Sequence, residues 1–350
     1  MMATTTRLAA ALTSLAALLC SVMTSCHADG YGYYPSPTPT PTPTPTPSGA
    51  GLAVGFYSYS CPNAEAIVRG VVTKAVQQNP GVGAGLIRML FHDCFVQGCD
   101  GSVLLDPTTA NPQPEKLSPA NFPSLRGFEV IDDAKSALEA ACPGTVSCAD
   151  VVAFAGRDAS AVLSGGRANF AMPAGRRDGR VSLSSETLQF LPPPSFNLSQ
   201  LAASFADKGL GVDDLVVLSG AHTVGRSHCS SFVRDGRLNA STSDMNPALA
   251  ASLRQQCPAN AATDNTVVQD VVTPDALDNQ YYKNVMARNV LFTSDAALLQ
   301  SSKTAASVAL NAIVPGLWEQ KFKVAMVKMA SIGVKTGTNG EIRTNCRVVN

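Results

Sequence analysis

The chain has 350 residues, 45% hydrophobic and 15% charged, with Lys+Arg and Asp+Glu both at 26. That length and apolar share suffice for one large domain or two modest ones. The charge balance leaves no basic field, which excludes nucleic acid and anionic membrane surfaces as expected partners. Ten cysteines are many for a reducing compartment and point to an oxidising one.

The N-terminus agrees. Arg7 precedes an apolar run from Leu8 to Leu19, followed by small and polar residues up to Cys26-His27-Ala28. The run is short and broken by Thr and Ser, so residues 1–28 read as a cleaved signal peptide rather than a membrane anchor. Cleavage removes Cys20 and Cys26. Eight cysteines remain: Cys61, Cys94, Cys99, Cys142, Cys148, Cys229, Cys257 and Cys346. An even number in a secreted chain implies four disulfides, but eight cysteines allow 105 pairings and spacing does not choose among them. Residues 29–51 form an arm of mostly alternating Thr and Pro. Proline lacks the amide donor and pushes its predecessor to extended geometry, so the arm is extended and solvated. A spacer is the plain reading; an O-glycosylated arm associated with a cell wall is the sharper one.

From Leu52 to Asn350 the composition is globular. Helical periodicity marks Ala64–Val76, Gly127–Ala141, Val151–Leu163, Leu198–Lys208, Asp213–Leu218 and Gln320–Ile332. Turn-rich stretches such as Asp106–Pro123 and Leu191–Phe196 separate them. Strand-like alternation is sparse, so the fold class is mostly α. The sequons Asn197-Leu198-Ser199 and Asn239-Ala240-Ser241 are expected glycan sites on surface loops.

Histidine is scarce; only His92, His222 and His228 follow the signal segment. In GLIRMLFHDCFVQGCDGSVLL, residues 85–105, Arg88 and His92 are four apart and share a helix face, with Phe91 beside them. The flanks Leu86, Ile87, Met89 and Leu90 are apolar all round, so this helix is buried. A buried cation next to an imidazole is costly and marks a site. Asp93, Asp100 and Ser102 then crowd hard oxygen donors into one loop, which suits Ca²⁺; a metal-free acidic turn is the bland alternative. His222, in LSGAHTVG, stands near the end of an apolar helix. From the residues alone, a structural histidine and a zinc site with His92 and His228 both stay open.

Four long blocks carry more than their parts: RMLFHDCFVQGCDGSVLL, RGFEVIDDAKSALEAACPGTVSCADVVAFAGRD, DLVVLSGAHTVGRSHC and IRTNCRVVN. In order and spacing, across residues 52–350, the chain resembles the class III plant secretory peroxidases, the horseradish peroxidase type. The resemblance implies a mostly α fold of two helical lobes with haem b between them, two bound Ca²⁺ and a monomer. It implies a secreted enzyme of the apoplast or cell wall that reduces hydrogen peroxide to water. Small phenolic donors would be oxidised in one-electron steps, in lignin formation, wall cross-linking, stress response or peroxide removal.

Residue by residue, the resemblance implies His222 as proximal ligand of the haem iron. Asp295 would accept that ring's other hydrogen and make the imidazole more electron-donating. His92 would be the distal base, Arg88 the distal cation, Asn121 the amide bonded to His92, and Phe91 the ring shielding the iron. Pro192 would line the donor site. The distal calcium would take Asp93, Val96, Gly98, Asp100 and Ser102, with Glu115 through water. The proximal calcium would take Thr223, Asp270, Thr273, Ala276 and Asp278. The implied disulfides are Cys61–Cys142, Cys94–Cys99, Cys148–Cys346 and Cys229–Cys257, and Asp150 and Arg176 match a buried ion pair.

The chain departs from the pattern in three places. Gly81, Gly83 and Gly85 open the helix that bears Arg88; at roughly 0.8–1 kcal/mol each against Ala they are expected to loosen its first turn. The segment from Gly165 to Pro173 is one residue longer, with Phe170 near the family's aromatic position. The sole tryptophan, Trp318, lies in a late helix instead. A catalytically idle wall protein is the rival reading, and the intact set Arg88, His92, Asn121, His222 and Asp295 argues against it.

Overall fold

A computed structural model of the chain describes residues 51–239, 243–259 and 262–350. The expected signal peptide and residues 29–50 of the Thr-Pro arm lie outside the described residues. Pro45–Asn350 is one compact unit, and Met1–Thr44, the other, is not described.

The first helices assemble around one buried rod. Helix α1 (Ala64–Gln78) buries Ala64, Val68, Val72 and Val76, a stripe at every fourth position. Helix α2 (Pro80–Val96) follows at once. Asn79 caps it, its Oδ1 accepting from Gly81 N at 3.0 Å, and Pro80 occupies the first turn, where its missing N–H costs nothing. Apolar residues surround α2, and α3 (Phe128–Ala141) and α4 (Cys148–Leu163) help enclose this group; α2 packs most extensively on α4. Ser147 caps α4 by accepting from Asp150 N.

The helix is continuous through its three glycines. A Cβ on Gly83 would lie 2.9 Å from Leu163 and 3.1 Å from Val76, and one on Gly85 would lie 2.6 Å from the Arg126 carbonyl. Two of the three glycines therefore let neighbouring segments approach.

The remaining helices are α5 (Ser184–Phe190), α6 (Leu198–Asp207), α7 (Val212–Ser219), α8 (Ser230–Val233), α9 (Pro247–Gln256), α10 (Gln280–Met286), α11 (Thr293–Ala297), α12 (Ser302–Ile313) and α13 (Leu317–Met329). Helices α6, α12 and α13 pack on α7, and α10 packs on α12. Periodicity alone did not reveal α5, α8, α9, α10, α11 or α12. The only sheet among the described residues pairs β1 (Arg226–His228) with β2 (Thr266–Val268), antiparallel, Ser227 facing Val267. It brings the segment after His222 beside the one before Asp270. The mostly α expectation holds.

All four implied disulfides are present, and Cys148–Cys346 joins residues 198 apart. The ion pair is present too: Arg176 Nη1 lies 2.7 Å from Asp150 Oδ1, both side chains fully buried. Asp150 Oδ2 also accepts from the Tyr57 hydroxyl and from Gly175 N, each at 2.7 Å.

Candidate active site

His92 lies in the second half of α2, 5% exposed. Its Nδ1 is 2.6 Å from Asn121 Oδ1. Asn121 Nδ2 donates to the Glu115 carbonyl at 2.8 Å, so Oδ1 must face the imidazole. His92 therefore carries its proton on Nδ1 and keeps a lone pair on Nε2. Burial, and then the Arg88 charge, hold its pKa well below the ordinary histidine value.

Arg88 stands one turn earlier, and its Nε donates to His92 Nε2 at 3.1 Å. Its other nitrogens donate to Ser124 Oγ at 3.0 Å and the Ala120 carbonyl at 2.8 Å. Burial and then Arg126 lower its pKa to about 10, which leaves it cationic at neutral pH. Phe91 packs edge-on against His92, ring centroids 5.2 Å apart.

His222 sits in a 3₁₀ turn, Gly220–Thr223, that continues α7. Its Nδ1 lies 2.7 Å from Asp295 Oδ1, and the carboxylate is buried while the imidazole remains 38% exposed. Asp295, on α11, also accepts from the Tyr281 hydroxyl at 2.8 Å and from Phe292 N at 3.3 Å. With Nδ1 held, Nε2 is the nitrogen left to bind a ligand.

Two oxygen clusters flank the histidines. Next to His92, Asp93 accepts from Gly101 N at 2.9 Å, and Asp100 accepts from Ser102 N at 3.0 Å. Val96 ends α2, and Gly98 turns the chain at φ +92°. Burial and then the Asp100 charge push the Asp93 carboxyl up to about 8. Burial and then Asp93 push Glu115 well above the carboxylate range. Both Glu115 carboxylate oxygens and Ser102 Oγ are buried without a hydrogen-bond partner.

After His222, the Thr223 hydroxyl lies 3.2 Å from Asp270 Oδ2, 3.3 Å from the Ala276 carbonyl and 3.2 Å from Asp278 Oδ1. Thr273 Oγ1 lies 3.4 Å from Asp270 and 3.2 Å from Asp278. The five expected donors thus converge. Among the described residues His92, His222 and His228 do not gather as ligands of one metal, which leaves the zinc alternative without a ligand set. His228, on β1, turns its Nδ1 to the Asp264 carbonyl at 3.1 Å.

A family model described as peroxidase matches residues 68–312. Curated plant proteins match over most of their length. Peroxidase 2 of Zea mays is 60% identical, covering 96% of this chain and 95% of the relative. Peroxidase 5 of Vitis vinifera is 54% identical, covering 85% and 92%. Peroxidase 1 of Zea mays is 50% identical, covering 85% and 83%. The chain belongs to the class III plant peroxidases. It is an enzyme, a peroxidase acting on hydrogen peroxide and a donor, and its family implies haem.

In this peroxidase, Pro192 lies partly exposed just after α5. Asn197 is exposed and caps α6, its Oδ1 accepting from Gln200 N at 3.1 Å. Asn239 is exposed, and the rest of its sequon lies outside the described residues. Sequence reasoning missed Ser124, which holds Arg88, and Lys335, whose Nζ lies 2.5 Å from Asp100 Oδ2. It also missed Tyr281 on Asp295. Each reaches the site from a distant segment, and no local spacing announces it. Among the described residues no helix is long and apolar enough to cross a membrane.

Proposed function

We propose that the chain is a secreted, monomeric haem b peroxidase that oxidises small phenolic donors by one-electron steps. The observation that carries this is the matched setting of two imidazoles. His92 and His222 each have Nδ1 held by a side-chain oxygen, which makes Nε2 the nitrogen that acts; on His92 it also accepts from Arg88 Nε.

His222 would hold the haem iron through Nε2, with Asp295 strengthening it as a donor. When bound, the haem supplies the metal and the redox capacity for the reaction. His92 Nε2 takes a proton from hydrogen peroxide and returns it to the departing oxygen. Arg88 stays cationic and stabilises the negative charge that develops there. Asn121 keeps His92 in the tautomer that can accept, and Phe91 walls the site. Pro192 lines the approach of the donor.

Both oxygen clusters suit Ca²⁺. Beside His92, buried acid groups and unpartnered oxygens at Glu115 and Ser102 fit a divalent cation, with Asp93, Asp100 and the carbonyls of Val96 and Gly98 completing the set. Beside His222, the convergence of Thr223, Asp270, Thr273, Ala276 and Asp278 fits a second. Residues 1–28 act as a signal peptide, 29–51 as an arm toward the cell wall, and Asn197 and Asn239 as glycan sites. The cysteine content and four disulfides support an extracellular destination.

The test is spectroscopic and kinetic. The purified protein should show a haem Soret band and turn over guaiacol with peroxide. His222→Ala should lose the band. His92→Ala should keep it while the peroxide step, followed by stopped flow, slows by ~10²–10⁴-fold. A wild-type rate in His92→Ala would overturn the assignment of the base.

A further inference from the structure

A run of aromatic rings leads inward from His222. The centroids of His222 and Tyr281 lie 6.1 Å apart, those of Tyr281 and Tyr282 5.1 Å, and those of Tyr282 and Trp318 6.1 Å, all edge-on. Tyr281, Tyr282 and Trp318 are all buried. Tyr282 and Trp318 also press on the backbone that carries His222. A Cβ at Gly220 would lie 2.5 Å from Trp318 Nε1 and 2.6 Å from the Tyr282 hydroxyl.

Edge-on packing alone would give a stable core. Three further features give the run a direction. The Tyr281 hydroxyl donates to Asp295 Oδ1 at 2.8 Å, the same oxygen that lies 2.7 Å from His222 Nδ1. Tyr281 thus has a carboxylate to take its proton if it loses an electron. The Tyr282 hydroxyl donates to the Val216 and Val217 carbonyls, at 2.9 and 3.1 Å, and carbonyls are too weakly basic for that. At the far end Trp318 Nε1 donates to the Val217 carbonyl at 3.0 Å. The next residue is Glu319, 6% exposed, whose Oε1 lies 3.5 Å from Arg167 Nε while Oε2 is buried and unpartnered. A carboxylate without a full complement of donors stabilises a neighbouring positive charge.

We propose that Tyr281, Tyr282 and Trp318 form an internal relay that carries an oxidising equivalent from the haem side of His222 to Trp318 when no donor is at hand. The relay rests on the haem peroxidase reading, and hydrogen peroxide is its oxidant. One electron leaves Tyr281 for the oxidised centre, and the phenolic proton shifts to Asp295. An electron from Trp318 then crosses the Tyr282 ring to refill Tyr281, which recovers its proton. Trp318 is left as a radical cation that keeps its Nε1 hydrogen, bonded to the Val217 carbonyl. The net change is one electron moved and no net proton transfer. Tyr282 is a bridge, not a stopping place, since the two carbonyls it donates to do not take its proton.

The test uses the haem-loaded full chain and stoichiometric hydrogen peroxide without a donor, freeze-quenched for electron paramagnetic resonance. The wild type should show a tryptophanyl radical. Trp318→Phe should lose it and retain a tyrosyl signal, and Tyr281→Phe should lose the tryptophanyl signal. A normal Soret band and guaiacol turnover with no protein radical, or a radical unchanged in Trp318→Phe, would overturn the relay alone. Loss of both the band and turnover would overturn the haem peroxidase reading and the relay with it. Should Trp318→Phe not fold, peptide mass spectrometry of the wild type after excess peroxide decides. Oxygenation centred on Trp318 supports the relay, and oxygenation confined to exposed residues such as Tyr59 refutes it.

Discussion

Arg88 does two things to His92 at once. Its Nε binds the lone pair of Nε2 at 3.1 Å, and its charge helps keep the imidazole neutral. The folded pKa of His92 lies well below the ordinary value of 6.5, so the base is lost only on strong acidification. Replacing Arg88 with Leu removes the repulsion and lets that pKa rise. The acid limb of the pH–rate profile for the peroxide step should then move up toward neutrality, while the rate itself falls. A limb that stays fixed or moves to lower pH would show that burial alone sets the value. The Arg88–His92 pair was legible as two residues one turn apart on an apolar helix. Ser124, which steadies Arg88, and Tyr281, which shares the Asp295 oxygen, were not, because each arrives from another segment.

Among the elements, the amphipathic helices α1, α3, α6 and α13 showed in the sequence because each buries one stripe, whereas α4 showed although it is buried on nearly every face. Helix α2 showed differently, as a run apolar on all sides. Helices α8 and α11 are four and five residues long and give periodicity too little length. The glycines of α2 were read as a cost, yet two of them make close packing possible. Gly85→Ala should destabilise by ~1–3 kcal/mol, since its Cβ would meet the Arg126 carbonyl at 2.6 Å. Gly70→Ala, at an exposed position of α1 with nothing within 4 Å, should stabilise by ~0.5–1 kcal/mol. Denaturant melts of the two variants give both signs in one experiment.

Across the whole molecule, buried charge holds distant segments together. Asp150 gathers Tyr57, Gly175 and Arg176 onto one carboxylate. Asp178 does the same for Cys148 N, Ala149 N and Arg343 N at 3.1, 2.8 and 2.8 Å. Asp150→Ala would strand Arg176 in the core and should cost ~3–5 kcal/mol in equilibrium unfolding. A loss under about 1 kcal/mol, the range of an exposed pair, would show that water reaches Arg176. The resemblance implied the pair, but neither residue announced Tyr57 or Gly175 as further partners.

The bridge from Cys148 to Cys346 also sets an order in time. A ribosome that has just made residue 148 must add almost two hundred more before its partner exists. Until then Cys148 lacks its native partner, and Asp178 lacks the amide of Arg343. A chain cut short before residue 343 would keep both defects, and quality-control enzymes could recognise it by its free sulfur.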